Sequence, residues 1–319
     1  MDRMPARRRR RFRVVDRRRF MIAQGALAAV AVAALGLSAS VIVRSIRTAK
    51  VNQSLVALHT VEAGAAPAVE IAAPPMEAQE TSRQDGGLTL TFMGMPDGSA
   101  IKTAVVATAP TVLHKTTGDI LPDMLKLIQT NPDTVGWISI NGIVHLPVVY
   151  RDNTYYLTHD FNGHHNTSGT LFLDQGSPIT AQTQNLLIHG HSMHDGSMFG
   201  LLTHYRRLDT LIQHPLISFS TLYEKETYAV FAVLNVDPDA FDYFTHAFFA
   251  SNADFEAYIA SIRAHSLYDV PIDVQPTDAL LTLSTCIDDD RLVVVARRLR
   301  AGETKDELSS AAEQSQIMT

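Results

Sequence analysis

Between residues 135 and 299 the chain is cut into short apolar runs, and this rhythm limits the possible folds more than any other feature. The runs cover 135–140, 144–149, 169–173, 185–190, 217–220, 227–234, 280–286 and 291–299. Each is shorter than a typical helix of about 11 residues. They are rich in aliphatic and β-branched side chains, and Gly, Pro, Asn and Asp gather between them. Eight such runs with irregular connections predict a mainly β protein whose strands close into a barrel. Helical spacing occurs twice. Leu121, Leu125 and Ile128 recur at helical intervals before Asn131-Pro132 ends the pattern, and Phe255 to Arg263 reads as one inserted helix with Asp254 near its start.

The N-terminal end is built differently. Residues 1–19 carry ten Arg against Asp2 and Asp16, whereas the 319-residue chain as a whole has a net charge of −6. A basic run of this kind reads alone as a nucleic-acid patch or nuclear signal. The adjoining segment excludes that: residues 20–43 contain no charge and are rich in Ala, Val and Leu. At 1.5 Å per residue a helix of that length spans the ~30 Å hydrocarbon layer. Arginines just before it place the N-terminus in the cytoplasm, so the remainder is expected outside the cell membrane. Two processing signals compete, a signal peptide cleaved near Ser38-Ala-Ser40 and a twin-arginine export signal at Arg17-Arg-Arg. The apolar run exceeds the usual signal core of about 7–15 residues, which favours a retained single-pass anchor.

Residues 44–118 are Ala-, Pro- and Thr-rich and read as a flexible extracellular linker, with Ala65-Ala-Pro67 and Ala72-Ala-Pro-Pro75 as its clearest signals. The textured region 119–300 reads as the folded domain, and 301–319 as a polar, frayed tail.

The chain has a single cysteine, Cys286, so no internal disulfide can form. Exported domains that use cysteine structurally use it in pairs, so a lone thiol here points to chemistry. It ends the run Leu280-Leu-Thr-Leu-Ser-Thr-Cys286, and Arg291 comes five residues later at the start of the next run. A thiol at a strand end beside a cation is placed to ionise. A thiolate becomes a working covalent nucleophile when a proton donor and a fixed positive charge stand near it. The chain has thirteen His to supply the donor.

Three segments, in order, resemble the class B sortases, the cysteine transpeptidases of Gram-positive cell surfaces. They are Asp133-Thr-Val-Gly-Trp-Ile-Ser-Ile140 with Asp152-Asn-Thr-Tyr-Tyr-Leu157 and Gly169-Thr-Leu-Phe-Leu-Asp174; Asn185-Leu-Leu-Ile-His-Gly-His191 continuing through Asp195-Gly-Ser-Met-Phe199; and Thr282-Leu-Ser-Thr-Cys286 with Arg291. The resemblance covers roughly residues 119–300. It implies an eight-stranded sortase-type β-barrel with a few helices behind one N-terminal transmembrane helix. It implies a catalytic set of His191, Cys286 and Arg291, and peptide contacts at Asn153, Leu157, His189 and Ser284. It further implies cleavage of a C-terminal sorting motif after Thr, with transfer to an amine of cell-wall peptide or a pilin lysine. The partners would be surface proteins or pilins bearing that motif, with no cofactor, no metal and no nucleic acid.

Two departures stand out. The family usually has Tyr where this chain has His189. The connection from Cys286 to Arg291 is also short, only four residues. A four-residue connection fits a β-hairpin that sets Cys286 opposite Arg291 with the intervening aspartates turned away. Arg297, Arg298 and Arg300 read as ordinary solvated charges. Two other functions compete. His189, His191 and His194 offer imidazoles for a zinc-dependent hydrolase, although Asp195 comes after the third His instead of preceding it. A tethered, strand-rich domain also suits a non-catalytic surface adhesin, a reading that leaves the His, Cys and Arg set without a role.

Overall fold

The eight apolar runs form the eight strands of one closed barrel. These are β1 (Thr134–Ile140), β2 (Val144–Val149), β3 (Leu171–Leu173), β4 (Asn185–His189), β5 (Leu216–Thr221), β6 (Lys225–Val236), β8 (Leu280–Ile287) and β9 (Asp290–Arg298). The order around the barrel is β1-β2-β3-β4-β8-β9-β6-β5, and β5 pairs back onto β1. The β2–β3 and β4–β8 pairs are parallel; the others are antiparallel. β7 (Tyr268–Asp269) pairs outside the barrel with β10 (Gln316–Ile317).

The molecule is a computed structural model that describes residues 43, 45–59 and 113–318. The basic segment 1–19, residues 20–42 of the apolar run and residues 60–112 of the linker lie outside them. Among the described residues no helix is long and apolar enough to cross a membrane. The chain divides into two compact units, 1–47 and 48–319. The described residues of the first are helical.

β8 and β9 are buried on both faces for most of their length, which is why they read as continuous apolar runs and not as alternating ones. Ile188, Phe219, Phe231, Leu283 and Val294 are among the fully buried side chains of the main core. Leu211 of the short α3 (Leu208–Gln213) is buried in the same core. That core also takes in the apolar face of α4 (Asn252–Ala264), with Phe255, Tyr258, Ile259 and Ile262 buried. Ser251 caps α4 by accepting from the Asp254 N–H.

A second apolar cluster joins Trp137, Val149 and Phe172 of the strands to Met124, Leu127 and Ile128 of α2 (Pro122–Thr130). Leu55 completes it from helix α1, residues 48–59, and is only 3% exposed. The His59 ring stacks on Trp137 at 4.0 Å. This stretch of the sequence-read linker is therefore ordered helix packed on the barrel.

The C-terminal segment differs from a frayed tail in the same way. Thr304 and Glu307 form a capping box that starts α5 (Lys305–Ala312), and Leu308 and Ala312 are buried. Nor are the three arginines ahead of it solvated charges. Arg297 is 1% exposed and pairs with Glu303, and it donates to the Asp273 carbonyl. Arg300 pairs with Asp273 and Asp278, and Arg298 donates to the Leu113 carbonyl. Arg297 and Arg300 thereby tie the chain beyond β9 to the segment before β8.

Candidate active site

The geometry begins at the β8–β9 hairpin. Ile287 pairs with Asp290, so the turn is only Asp288–Asp289, with Asp288 in the left-handed region at φ 51°. This register sets Cys286 directly opposite Arg291. Directly paired side chains share a face, with Cβ atoms about 4.5–5.5 Å apart. Asp290 therefore occupies the other face, where its carboxylate accepts from the Asn235 amide of β6 at 2.8 Å. The thiol is exposed and free.

The second element is the end of β4. His189 lies beside Ser284 in parallel register. The Gly190 N–H donates to the Ser284 carbonyl at 3.2 Å, and the Thr285 hydroxyl donates to the Gly190 carbonyl at 2.8 Å. The histidine segment is thus bonded to the cysteine strand through the two residues before Cys286. Only glycine fits at 190, because a Cβ there would sit 2.3 Å from Leu171 and 2.7 Å from Phe199. This close approach is the physical reason for a Gly-His pair. His191 emerges next and is half-buried. Its Nε2 donates to the Leu157 carbonyl at 2.8 Å.

The third element is the acidic flank. Asp174 lies just past β3 and accepts from His189 Nε2 and from the Asn153 amide on one oxygen, both at 2.9 Å. Its other oxygen accepts from the Gly176 N–H at 2.7 Å. Burial pushes this carboxyl up, but the bonds from His189, Gly176 and Asn153 outweigh it and hold the pKa below the ordinary range. Asp174 is therefore a carboxylate at neutral pH. The Asn153 amide oxygen accepts from Gln175 N–H at 2.8 Å, so both ends of that amide serve the flank.

Asn153, Leu157, His189, His191, Ser284, Cys286 and Arg291 all line one open groove of about 340 Å³. Every residue read from the sequence for the thiol chemistry and its peptide contacts thus lines one groove. The groove also contains residues that the sequence left without a role. Tyr243 is 3% exposed and bonds the Ser284 hydroxyl at 2.8 Å. Burial raises its pKa, so the phenol stays protonated. Phe244, 44% exposed, and Pro238 form the wall beside it. These three lie in the loop between β6 and α4, which has no periodicity to reveal a role. Asp174 was visible only as the last residue of its motif.

The imidazoles proposed for zinc go to separate partners, His189 to Asp174 and His191 to Leu157, while His194 lies in a different pocket with Met193 and His204. Among the described residues no group of three or more His, Cys, Asp or Glu side chains is arranged to hold a metal ion.

Residues 139–299 match the sortase domain family. The chain belongs to the sortase family. A sortase B of Listeria monocytogenes is 32% identical over 197 residues, 60% of this chain and 76% of that protein. The Staphylococcus aureus sortase B is 28% identical over 188 residues, 57% and 76% of the two chains. Among solved structures, a Bacillus anthracis sortase B in complex with AAEK2 superposes with a TM-score of 0.55 at 30% identity, covering 60% of this chain and 89% of that one. A Staphylococcus aureus sortase B–substrate complex gives 0.53 at 27% identity, covering 57% and 87%. This sortase is of class B, a cysteine transpeptidase on an eight-stranded barrel. The family works at the cell surface, on proteins that carry a sorting motif and on amine acceptors.

Proposed function

We propose that Cys286, His191 and Arg291 carry the transpeptidation of this sortase, and that its substrate is a C-terminal sorting peptide cut after Thr. The Cys286 thiolate attacks the Thr carbonyl carbon, forming a C–S bond. The C–N bond then breaks, and His191 gives its proton to the departing amine. An incoming amine, from cell-wall peptide or a pilin lysine, attacks the thioester. It gives its proton to His191, now the base, and the thiolate leaves. Arg291 donates to the oxyanion in both halves or holds the peptide backbone; its guanidinium stays charged throughout.

The observation that most supports this reading is the paired register of Cys286 and Arg291, with His191 bonded in beside the same strand. Leu157, His189 and Ser284 would contact the peptide directly, while Asn153 acts through Asp174. Residues 20–43 would anchor the chain with the N-terminus cytoplasmic and the barrel outside.

The test is intact-mass analysis with a panel of sorting peptides. A thioacyl adduct on Cys286, absent in Cys286→Ala while the barrel still folds, is expected. Cleavage that persists through a covalent intermediate in Cys286→Ala refutes the reading. Activity lost with EDTA and restored by zinc would favour the hydrolase instead.

A further inference from the structure

His191 is held by a backbone carbonyl, and a carbonyl can only accept, so the ring nitrogen facing Leu157 carries a hydrogen. That carbonyl belongs to the 3-10 turn Tyr155–Leu157, and the carbonyls around it are assigned one by one. The Tyr155 carbonyl accepts from the Thr158 N–H at 3.2 Å and from His159 Nδ1 at 2.8 Å. The Tyr156 carbonyl takes the Thr170 N–H at 3.0 Å, and the Thr158 carbonyl takes the Asn166 N–H at 2.8 Å. Leu157 alone in this series gives its carbonyl to a side chain from another element. A Cβ on Gly169, which sits at φ 63°, would approach the Tyr156 and Leu157 carbonyls to 2.3 and 3.0 Å. The carbonyl is thus set at a fixed place.

Two neighbouring rings hold the turn in different ways. Tyr156 roots it in the core, 2% exposed, with its hydroxyl donating to Asp133 at 2.7 Å. Tyr155 clamps the outer side. The Arg151 guanidinium lies 4.0 Å over its ring, and the His159 imidazole stacks on it at 4.0 Å and 6°. The Asp152 carboxylate accepts from the Thr154 and Tyr155 N–H groups and starts the turn. Arg151, Tyr155 and His159 form a three-layer stack, none of them lines the groove, and the Leu157 carbonyl links their turn to His191.

We infer that Tyr155, clamped between Arg151 and His159, is a positioning residue for His191: through the Leu157 carbonyl it keeps the ring proton on Nε2 and leaves Nδ1 to exchange a proton with the reacting groups. The inference builds on the proposed role of His191 as proton donor. In the neutral ring Nδ1 then presents a lone pair, and in the imidazolium it presents the transferable proton. If the turn shifts, the imidazole loses its anchor and both tautomers become accessible.

The test uses the full chain with 15N-labelled histidine, the His191 signals being assigned by their loss in His191→Gln. The expected result is a neutral His191 ring protonated on Nε2. Tyr155→Ala should mix the tautomers and slow thioester formation from a sorting peptide about tenfold. Alkylation of Cys286 by iodoacetamide, which needs no proton donor, should change by less than about twofold. Tyr155→Phe keeps the ring and should recover most of the loss. Should Tyr155→Ala fail to fold, Arg151→Ala removes one layer at a half-exposed position and should shift the same signals to a lesser degree. A wild-type ring protonated on Nδ1 overturns the inference, as do variants that fold yet keep the wild-type tautomer and acylation rate. A peptide panel that gives no adduct at all refutes the proposed chemistry instead, and the tautomer measurement then judges the inference separately.

Discussion

The two flanks of the groove are made in opposite ways. The Cys286–Arg291 flank is a single hairpin, whose two residues stand five apart in sequence and opposite each other in register. The Asp174–His189 flank draws on the end of β3, the end of β4 and the loop that carries Asn153, stretches 15 and 21 residues apart. On the first flank, turn length alone sets the chemistry. On the second, only the Gly176 N–H is local, and His189 and Asn153 must come from other stretches to meet one carboxylate. The first should therefore be intolerant of backbone change and the second tolerant of it, with function graded by side-chain chemistry.

The sharpest way to break this comparison is a one-residue insertion between Asp288 and Asp289. A slip of one residue turns a strand's side chains to the opposite face, so Arg291 would leave Cys286. Acylation should become undetectable while the thiol still alkylates; an active insertion variant would show that the hairpin register is not what sets this flank. Next in size is Arg291→Lys. It keeps the charge and loses the planar fork, and kcat/KM should fall about 100-fold. On the other flank Asp174→Asn removes the charge that orders His189 and Asn153. A drop in kcat/KM of about tenfold, mostly through KM, is expected. A kcat effect as large as that of Arg291→Lys would place Asp174 in the chemistry and erase the distinction between flanks.

Away from the groove the expected effects fall on stability. Leu55→Ala should cost about 2–3 kcal/mol by denaturant titration, because Leu55 seals the cluster around Trp137, and should leave acylation of the folded chain nearly unchanged. The smallest effect concerns pH. His59 is held below its ordinary pKa chiefly by burial, with His145 and Lys225 adding to this and Asp123 opposing. His145 is lowered by burial as well. The unfolded chain therefore binds more protons than the folded one in the window below about 6.5, and stability falls as pH drops through it. His59→Phe should flatten that part of the curve. If it does not, the protons are taken up elsewhere.

Much of the barrel was legible because its strands are buried on both faces or set apart by turn residues. Each observed barrel strand begins and ends within about two residues of an apolar run. α2 and α4 were readable from spacing and flanking residues. What escaped was short or far-reaching. α5 carried its signal openly, Thr304 with Glu307 three residues on, but its polar surface hid two buried side chains. α1 carries Val51, Leu55 and Leu58 at helical spacing, but nothing local says what they pack against until Trp137 is there to meet Leu55 and His59. A two-residue pairing such as β7 with β10 leaves no periodicity at all.

By itself the sequence determined the strand content, the hairpin that opposes Cys286 to Arg291, and the Gly-His step that sets His191 beside them. These rest on alternation, turn length and the size of one residue, all of which act over a few positions. Only the tertiary structure decided that Asp174 is ionised against His189, that the Leu157 carbonyl holds His191, and that Tyr243 bonds Ser284 from a loop without pattern. Each of these joins groups at least 15 residues apart. Such a bond depends on barrel closure, because burial makes an unpaired polar group costly and so selects the partner that the fold brings within reach.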